Sequence, residues 1–157
     1  MKISVVSGGF DPIHSGHIAY LNAAKEQGDI LIVALNSDAW LTNKKGQPFM
    51  SFEERKTILE NLSCVDEVIS FADDKLGSCI NALAAIKEKY PKEDIIFCNG
   101  GDRNDSNIPE MSVSGIEFKF SIGGEDKKNS SSWILKNWQG DSENRVWGKF
   151  FNLYQDK

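Results

Sequence analysis

The strongest constraint on this chain is a rhythm. Short β-branched apolar runs are each closed by glycine or small polar residues and followed by a segment of helical spacing. Ile3 to Ser7 reads as a buried strand, and Gly8-Gly9 lets the backbone turn sharply and approach a ligand. Ser15 to Gln27 reads as a helix, with Ile18, Leu21, Ala24 and Lys25 at helical spacing and Gly28 as its stop. Ile30 to Leu35 is a second buried strand ending in Asn36-Ser37-Asp38. Thr42 to Met50 carries lysines, Gly46 and Pro48 without an apolar period, and reads as a mobile loop. Ser51-Phe52-Glu53-Glu54 is a capping box that opens a helix bearing Ile58, Leu59 and Leu62. A third strand over Val65–Phe71, a helix over Ser78–Tyr90 closed by Pro91, a fourth strand over Asp94–Cys98 and a fifth over Ile116–Ile122 follow. Ser130-Ser131-Ser132 caps a last helix with Ile134, Leu135 and Trp138.

Strands alternating with helices imply an α/β fold: a Rossmann-like parallel five-stranded sheet with helices on both faces and right-handed crossovers. The 157 residues suit one domain with a core of ordinary size. Composition changes after Gln139. Residues 1–139 read as the folded domain, and 140–157 as a polar linker and an aromatic tail with Trp147, Phe150, Phe151 and Tyr154. Net charge is −5, from 18 basic and 23 acidic residues, which argues against general affinity for nucleic acid. No apolar segment is long enough to span a bilayer, no signal peptide is visible, and a cytoplasmic location is expected. Cys64, Cys79 and Cys98 are odd in number and scattered, matching neither a disulfide framework nor a zinc pattern; each is expected to be a small buried residue.

Chemistry concentrates between the first strand and the first helix. That junction holds two glycines, Asp11, Pro12 and both histidines of the chain, His14 and His17. Such a junction suits phosphate chemistry, because a helix start offers unpaired N–H groups and a partial positive charge. His17 falls in the first turn, so both imidazoles can sit on one side of one phosphate. Gly16 leaves room for a nucleotide against the backbone. Positioned donors there would stabilise the charge that spreads over phosphate oxygens when a nucleotidyl group is transferred. His-x-x-His can also chelate zinc, but a third histidine is lacking and the cysteines lie elsewhere. Gly8-Gly9-Phe10-Asp11-Pro12 is not a G-x-G-x-x-G dinucleotide fingerprint.

Gly9-Phe10-Asp11-Pro12-Ile13-His14-Ser15-Gly16-His17 resembles the H-x-G-H motif of the cytidylyltransferase-like nucleotidylyltransferases. Asn36-Ser37-Asp38, the block from Ser51 to Ile69, Gly100-Gly101-Asp102 and Ser130-Ser131-Ser132 resemble further motifs of that family, in the same order, so the resemblance covers about residues 1–138. It implies an enzyme that moves a nucleoside monophosphate from a triphosphate to a phosphorylated small molecule by direct displacement. By that resemblance His14 and His17 stabilise the α-phosphate, and Lys44 reaches over the phosphates. Gly8, Gly9 and Phe10 lie along the nucleotide, and Asn99, Gly101, Asp102 and Arg103 border base and ribose. Ser130, Ser131 and Ser132 meet the outer phosphates, and Asp11, Asp38 and Arg55 face the second substrate. Magnesium is expected to arrive with the nucleotide rather than in a protein cage, and a homodimer is usual in the family.

Nucleotide and acceptor stay open between ATP and CTP and between sugar and polyol phosphates. Glycerol-phosphate cytidylyltransferases carry R-T-E-G where this chain has Glu125-Asp126-Lys127-Lys128. Val33–Asp38, Val65–Phe71 and Asn99–Asp102 resemble heptose-1-phosphate adenylyltransferases more closely. Gly9–His14 is shared with pantetheine-phosphate and nicotinamide-mononucleotide adenylyltransferases, whereas the Ser51–Ile69 block differs from theirs. A non-catalytic nucleotide-binding module on the same fold is the reading from another class. Asn144–Asp156 resembles the first strand of cupin domains of mannose-6-phosphate isomerase type, which implies either a second domain beyond it or an aromatic tail packed on the sheet or on a second subunit.

Overall fold

The computed structural model describes residues 1–101, 108–123 and 130–140. Its strands are β1 (Lys2–Gly8), β2 (Ile30–Leu35), β3 (Glu67–Ile69), β4 (Asp94–Cys98) and β5 (Glu117–Lys119). They form one sheet in the order β3-β2-β1-β4-β5, every neighbouring pair parallel, with Gly8 opposite Leu35 and Val5 between Ile32 and Phe97. The helices are α1 (Ser15–Lys25), α2 (Asp38–Lys45), α3 (Phe52–Glu60), α4 (Ile80–Lys89) and α5 (Ser131–Gly140), with a short 3-10 turn at Pro109–Ser112.

Strand residues alternate between faces, so each strand feeds two cores. Val6, Leu31, Val33, Leu35, Ile96 and Cys98 pack with Leu21 and Ala24 of α1 and Leu59 of α3. Ile3, Val5, Ile32, Ala34, Ile95 and Phe97 pack with Ala82, Leu83 and Ile86 of α4. This is the Rossmann-like sheet with helices on both faces that the alternation implied. Chain order runs outward from β1 to β3 and then returns to the other side at β4. The reversal lies between β1 and β4, where open α/β sheets leave a crevice at the strands' carboxyl ends.

Several boundaries differ from the expectation. The expected loop over Thr42–Met50 is helical as far as Lys45: Ser37 Oγ accepts from the Trp40 N–H at 3.0 Å, and Gly46 ends α2 at φ 95°. Only Leu41 of α2 is buried, so no apolar period announces the helix. β5 contracts to Glu117–Lys119 because Ser121 takes φ 58°, and the chain wraps round Asn99, whose N–H donates to the Lys119 carbonyl and whose carbonyl accepts from the Ile122 N–H. The three cysteines are buried and none is in a disulfide. Burial pushes the Cys98 thiol up to about 11.

Gly28 has a different role from the helix stop expected of it. A Cβ there would lie 2.7 Å from Ser4 Oγ, 2.9 Å from the Lys2 carbonyl oxygen and 3.0 Å from the Ser4 nitrogen. Backbone atoms of a central strand cannot give way, so what is required is space. Gly28→Ala is expected to cost about 1–3 kcal/mol in urea unfolding; an unchanged midpoint would show that the strand does yield.

Candidate active site

At the end of β1 the glycines serve close packing. A Cβ on Gly8 would meet the Phe10 ring at 3.0 Å, and one on Gly9 would meet Leu41 Cδ2 at 2.8 Å. The left-handed residue of this turn is Phe10, at φ 50°. Its buried ring stands edge-on to His17, centroids 4.8 Å apart.

His14 is the extended N-cap of α1, and the two histidines cap the helix reciprocally. His14 Nδ1 accepts from the Gly16 N–H at 3.1 Å, and the His14 N–H donates to His17 Nδ1 at 3.2 Å. The rings stack at 3.8 Å between centroids, inclined by 26°. Because each Nδ1 is an acceptor, the proton of each neutral ring belongs on Nε2. Burial, followed by the charge of neighbouring His14, pushes the His17 pKa down from 6.5 to about 3. At pH 7 His17 is thus a neutral donor with its tautomer set by the backbone.

Both rings open onto a cleft of about 1070 Å³. The cleft also brings together Gly8, Gly9, Phe10, Asp11, Lys44, Gly101, Ser130, Ser131 and Ser132 from the residues singled out in the sequence. Ser131 Oγ donates to the Pro12 carbonyl at 2.7 Å, tying the start of α5 to the loop that carries His14. Ser130 Oγ accepts from the Trp133 N–H at 3.0 Å, as an N-cap should. Lys44 occupies the last turn of α2 with its ammonium 4.8 Å from the Trp40 ring centroid, so it rides on a helix and not on the expected loop.

Of the three residues expected to face a second substrate, Asp11 and Arg55 are buried inside the protein, and the half-exposed Asp38 is paired with Arg55. The Asp11 carboxylate is fully buried; it accepts from the N–H groups of Phe49 and Met50 at 2.6 and 2.7 Å and pairs with Lys45 at 3.0 Å. Arg55 is also fully buried. Its Nη1 donates to the carbonyls of Gly9 (2.9 Å) and Asn36 (2.8 Å), its Nε to Met50 (3.0 Å), and its Nη2 to Asp38 Oδ1 (2.7 Å). Asp38 and Arg55 therefore form a strut between α2 and α3, and neither lines the cleft. Asn99 is likewise buried and bonded to the Phe97 and Lys119 carbonyls rather than lining the cleft. Asp102 and Arg103 lie outside the described residues, as does the tail beyond Gly140.

Other lining residues carry no motif. Trp40 Nε1 donates to the Gly77 carbonyl at 3.0 Å, and the Tyr20 hydroxyl donates to the Cys98 carbonyl at 2.5 Å. Glu110 is buried, and its Oε2 accepts from the Cys79 N–H at 2.8 Å at the start of α4, where a carboxylate suits the helix dipole. Only burial could have singled it out.

Fold and site together define a nucleotidyltransferase domain: a parallel sheet whose switch-point crevice holds two backbone-oriented imidazoles beside a serine-capped helix. The chain belongs to the cytidylyltransferase-like family, whose model matches residues 5–119. It is similar to the bifunctional protein HldE of Azotobacter vinelandii, at 48% identity over 131 residues covering 76% of this chain and 28% of that protein. To HldE of Helicobacter pylori it is 48% identical over 84 residues, covering 52% of this chain and 18% of that protein. The matching region thus spans less than a third of these relatives. Among solved structures, the lipopolysaccharide core biosynthesis protein of Thermoplasma volcanium superposes with a TM-score of 0.60 at 24% identity, covering 80% of this chain and 98% of that one. The bifunctional NMN adenylyltransferase/ADP ribose pyrophosphatase of Francisella tularensis, complexed with AMP and a manganese ion, gives 0.62 at 19% identity over 88% of this chain and 42% of that one. Both share the fold.

Two measurements check this geometry. Arg55→Met leaves buried carbonyls without their donor and is expected to destabilise by about 3 kcal/mol or more; a loss below 1 kcal/mol by denaturant titration would refute the strut. Because the folded-state pKa of His17 lies below its unfolded value, the unfolded chain binds the extra proton between pH 6.5 and about 3. Stability is therefore complete above that window and falls as pH drops through it. The thermal midpoint of His17→Asn is expected to decline less steeply over this range than that of the parent, and identical slopes would contradict the depressed pKa.

Proposed function

We propose that the domain transfers a nucleoside monophosphate from ATP or CTP to the phosphate of a sugar or polyol phosphate and releases pyrophosphate. An acceptor phosphate oxygen attacks the α-phosphorus, a new P–O bond forms, and the bond to the bridging oxygen breaks as pyrophosphate leaves with the electron pair. The observation that carries the reading is the pair of Nδ1-occupied imidazoles. With each Nδ1 accepting from a backbone N–H, the ring proton of His14 and of His17 sits on Nε2, the donor that would meet α-phosphate oxygens. The acceptor phosphate is already ionised at neutral pH and needs no general base, which agrees with a His17 too weakly basic to be one.

The remaining roles follow from placement. Lys44 would stand over the phosphates from α2. Ser130–Ser132 would offer the start of α5 to the outer phosphates, with Gly8, Gly9, Phe10 and Gly101 along the nucleotide. Among the described residues no group of three or more His, Cys, Asp or Glu is arranged to hold a metal. In this reading magnesium comes with the triphosphate as part of the substrate. The similarity to HldE and to a lipopolysaccharide core biosynthesis protein, together with the heptose-like sequence blocks, favours a sugar phosphate as acceptor. The domain would span residues 1–139 and act as a homodimer in the cytoplasm, and among the described residues no helix is long and apolar enough to cross a membrane.

Pyrophosphate release measured with ATP, CTP, GTP and UTP against a panel of sugar and polyol phosphates tests the reading. One productive pair is expected, and silence throughout would favour a binding module. With that pair, His17→Ala is expected to lose about a hundredfold or more in turnover, as removal of an oxyanion donor does, with little change in nucleotide affinity. Unaltered turnover would remove the histidine from the mechanism.

A further inference from the structure

One wall of the cleft is joined by hydrogen bonds and ends in a carboxylate. Trp40 Nε1 donates to the Gly77 carbonyl at 3.0 Å, and two residues further on the Cys79 N–H donates to Glu110 Oε2 at 2.8 Å. All four residues line the cleft. Cys79 packs in the core under α4, with Ile108 just ahead of Glu110, whereas Phe10 and Ile13 of the histidine loop pack in the core under α1. The wall therefore stands across the strand ends from His14 and His17.

Its chemistry is that of a site for hydroxyls rather than phosphates. Glu110 is 2% exposed, and a carboxylate placed against a phosphate would repel it. It is suited to accept O–H bonds, and with about four lone-pair sites it is not exhausted by the bond from Cys79 alone. The single donor of Trp40 is taken by Gly77, so what the indole shows a ligand is apolar surface. Its position is set at both ends, with Nε1 on Gly77 and Cζ3 3.5 Å from where a Cβ on Gly9 would lie. An acceptor-only group beside a pinned apolar ring fits a carbon skeleton that carries hydroxyls.

We propose that Glu110 and Trp40 select the acceptor, Glu110 accepting a hydrogen bond from a hydroxyl of its sugar or polyol part while the Trp40 indole covers the adjoining C–H surface. This rests on the nucleotidyl-transfer reading and adds the residues that choose among acceptors. In-line displacement puts the attacking oxygen on the far side of the α-phosphorus from the departing pyrophosphate. The start of α5, offered to the outer phosphates, is tied to Pro12 on the histidine side. The wall across the cleft is then the one that meets the acceptor. Glu110 is a specificity-determining residue and takes no part in breaking the bond.

Steady-state kinetics of the full chain and its Glu110→Gln and Trp40→Leu variants test this. The acceptors are heptose 1-phosphate, mannose 1-phosphate and glycerol 3-phosphate, each beside its monodeoxy analogues, with the productive nucleotide. Glu110→Gln keeps an oxygen for the Cys79 N–H. It is expected to lower kcat/KM for the preferred acceptor by about tenfold or more, the range for a hydrogen bond to a charged group, chiefly through KM. That loss should vanish on the one analogue lacking the hydroxyl that Glu110 reads. Trp40→Leu is expected to raise the acceptor KM about fivefold. Calorimetric nucleotide affinity should stay within about twofold in both variants. A loss of equal size on every analogue makes Glu110 a helix cap only and overturns the assignment. A parallel loss of nucleotide affinity sets the ribose against this wall and overturns it too. Should Glu110→Gln not fold, the parent decides: monodeoxy analogues all within about twofold of their acceptor overturn it, as does a parent-like acceptor KM in Trp40→Leu. In each of these cases turnover by the parent leaves the transfer reading standing, whereas a parent that turns over no acceptor overturns both.

Discussion

One guanidinium holds the site's scaffold together. Arg55 reaches from α3 to the end of β1 at Gly9, the end of β2 at Asn36, the turn before its own helix at Met50, and the first residue of α2 at Asp38. Three stretches of chain, at Gly9, at Asn36 to Asp38 and at Met50, turn carbonyls or a carboxylate toward one guanidinium, and a planar fork of five donors is the side chain suited to satisfy them together. Without it the strand ends would carry orphaned acceptors in the core. The histidine loop and the α2 wall are thus set in relation to each other by one residue that does not line the cleft.

The histidine pair depends on the same economy of backbone groups. A helix start leaves N–H groups without partners, and most helices assign them to serine, threonine, asparagine or aspartate. Here two imidazoles do so, one as cap and one from the first turn. The capping bond settles which ring nitrogen keeps its proton, and packing against Phe10 and the neighbouring ring suppresses further protonation of His17. The bonds that cap the helix also fix the orientation and tautomer of both rings.

Much of this was legible in the sequence, and the failures have physical reasons. Strands β2 and β4 fall where the apolar runs lie, because fully buried strands read as continuous runs. The H-x-G-H stretch announced the centre of the cleft, and the serine triplet announced a helix cap facing it. α2 stayed hidden because a helix burying one leucine has no period to detect. Asp11, Asp38 and Arg55 stand among the right motifs, yet charged residues grouped in sequence around a site do not reveal whether they point into it or brace it from behind. That distinction is three-dimensional, as is the burial that brings Glu110 to the cleft wall.

The pairing of Lys45 with Asp11 has a mechanical consequence. α2 is fastened at its start by Ser37 and by Asp38 to Arg55, and at its end by Lys45 to a carboxylate that also clasps the chain at Phe49 and Met50. A beam clamped at both ends does not swing. Trp40, Leu41 and Lys44 thus face the cleft as a wall of set distance, and the room between that wall and the histidines acts as a gauge. The width of the cleft on this side then resides in which side chains the wall carries, and little in how far it travels.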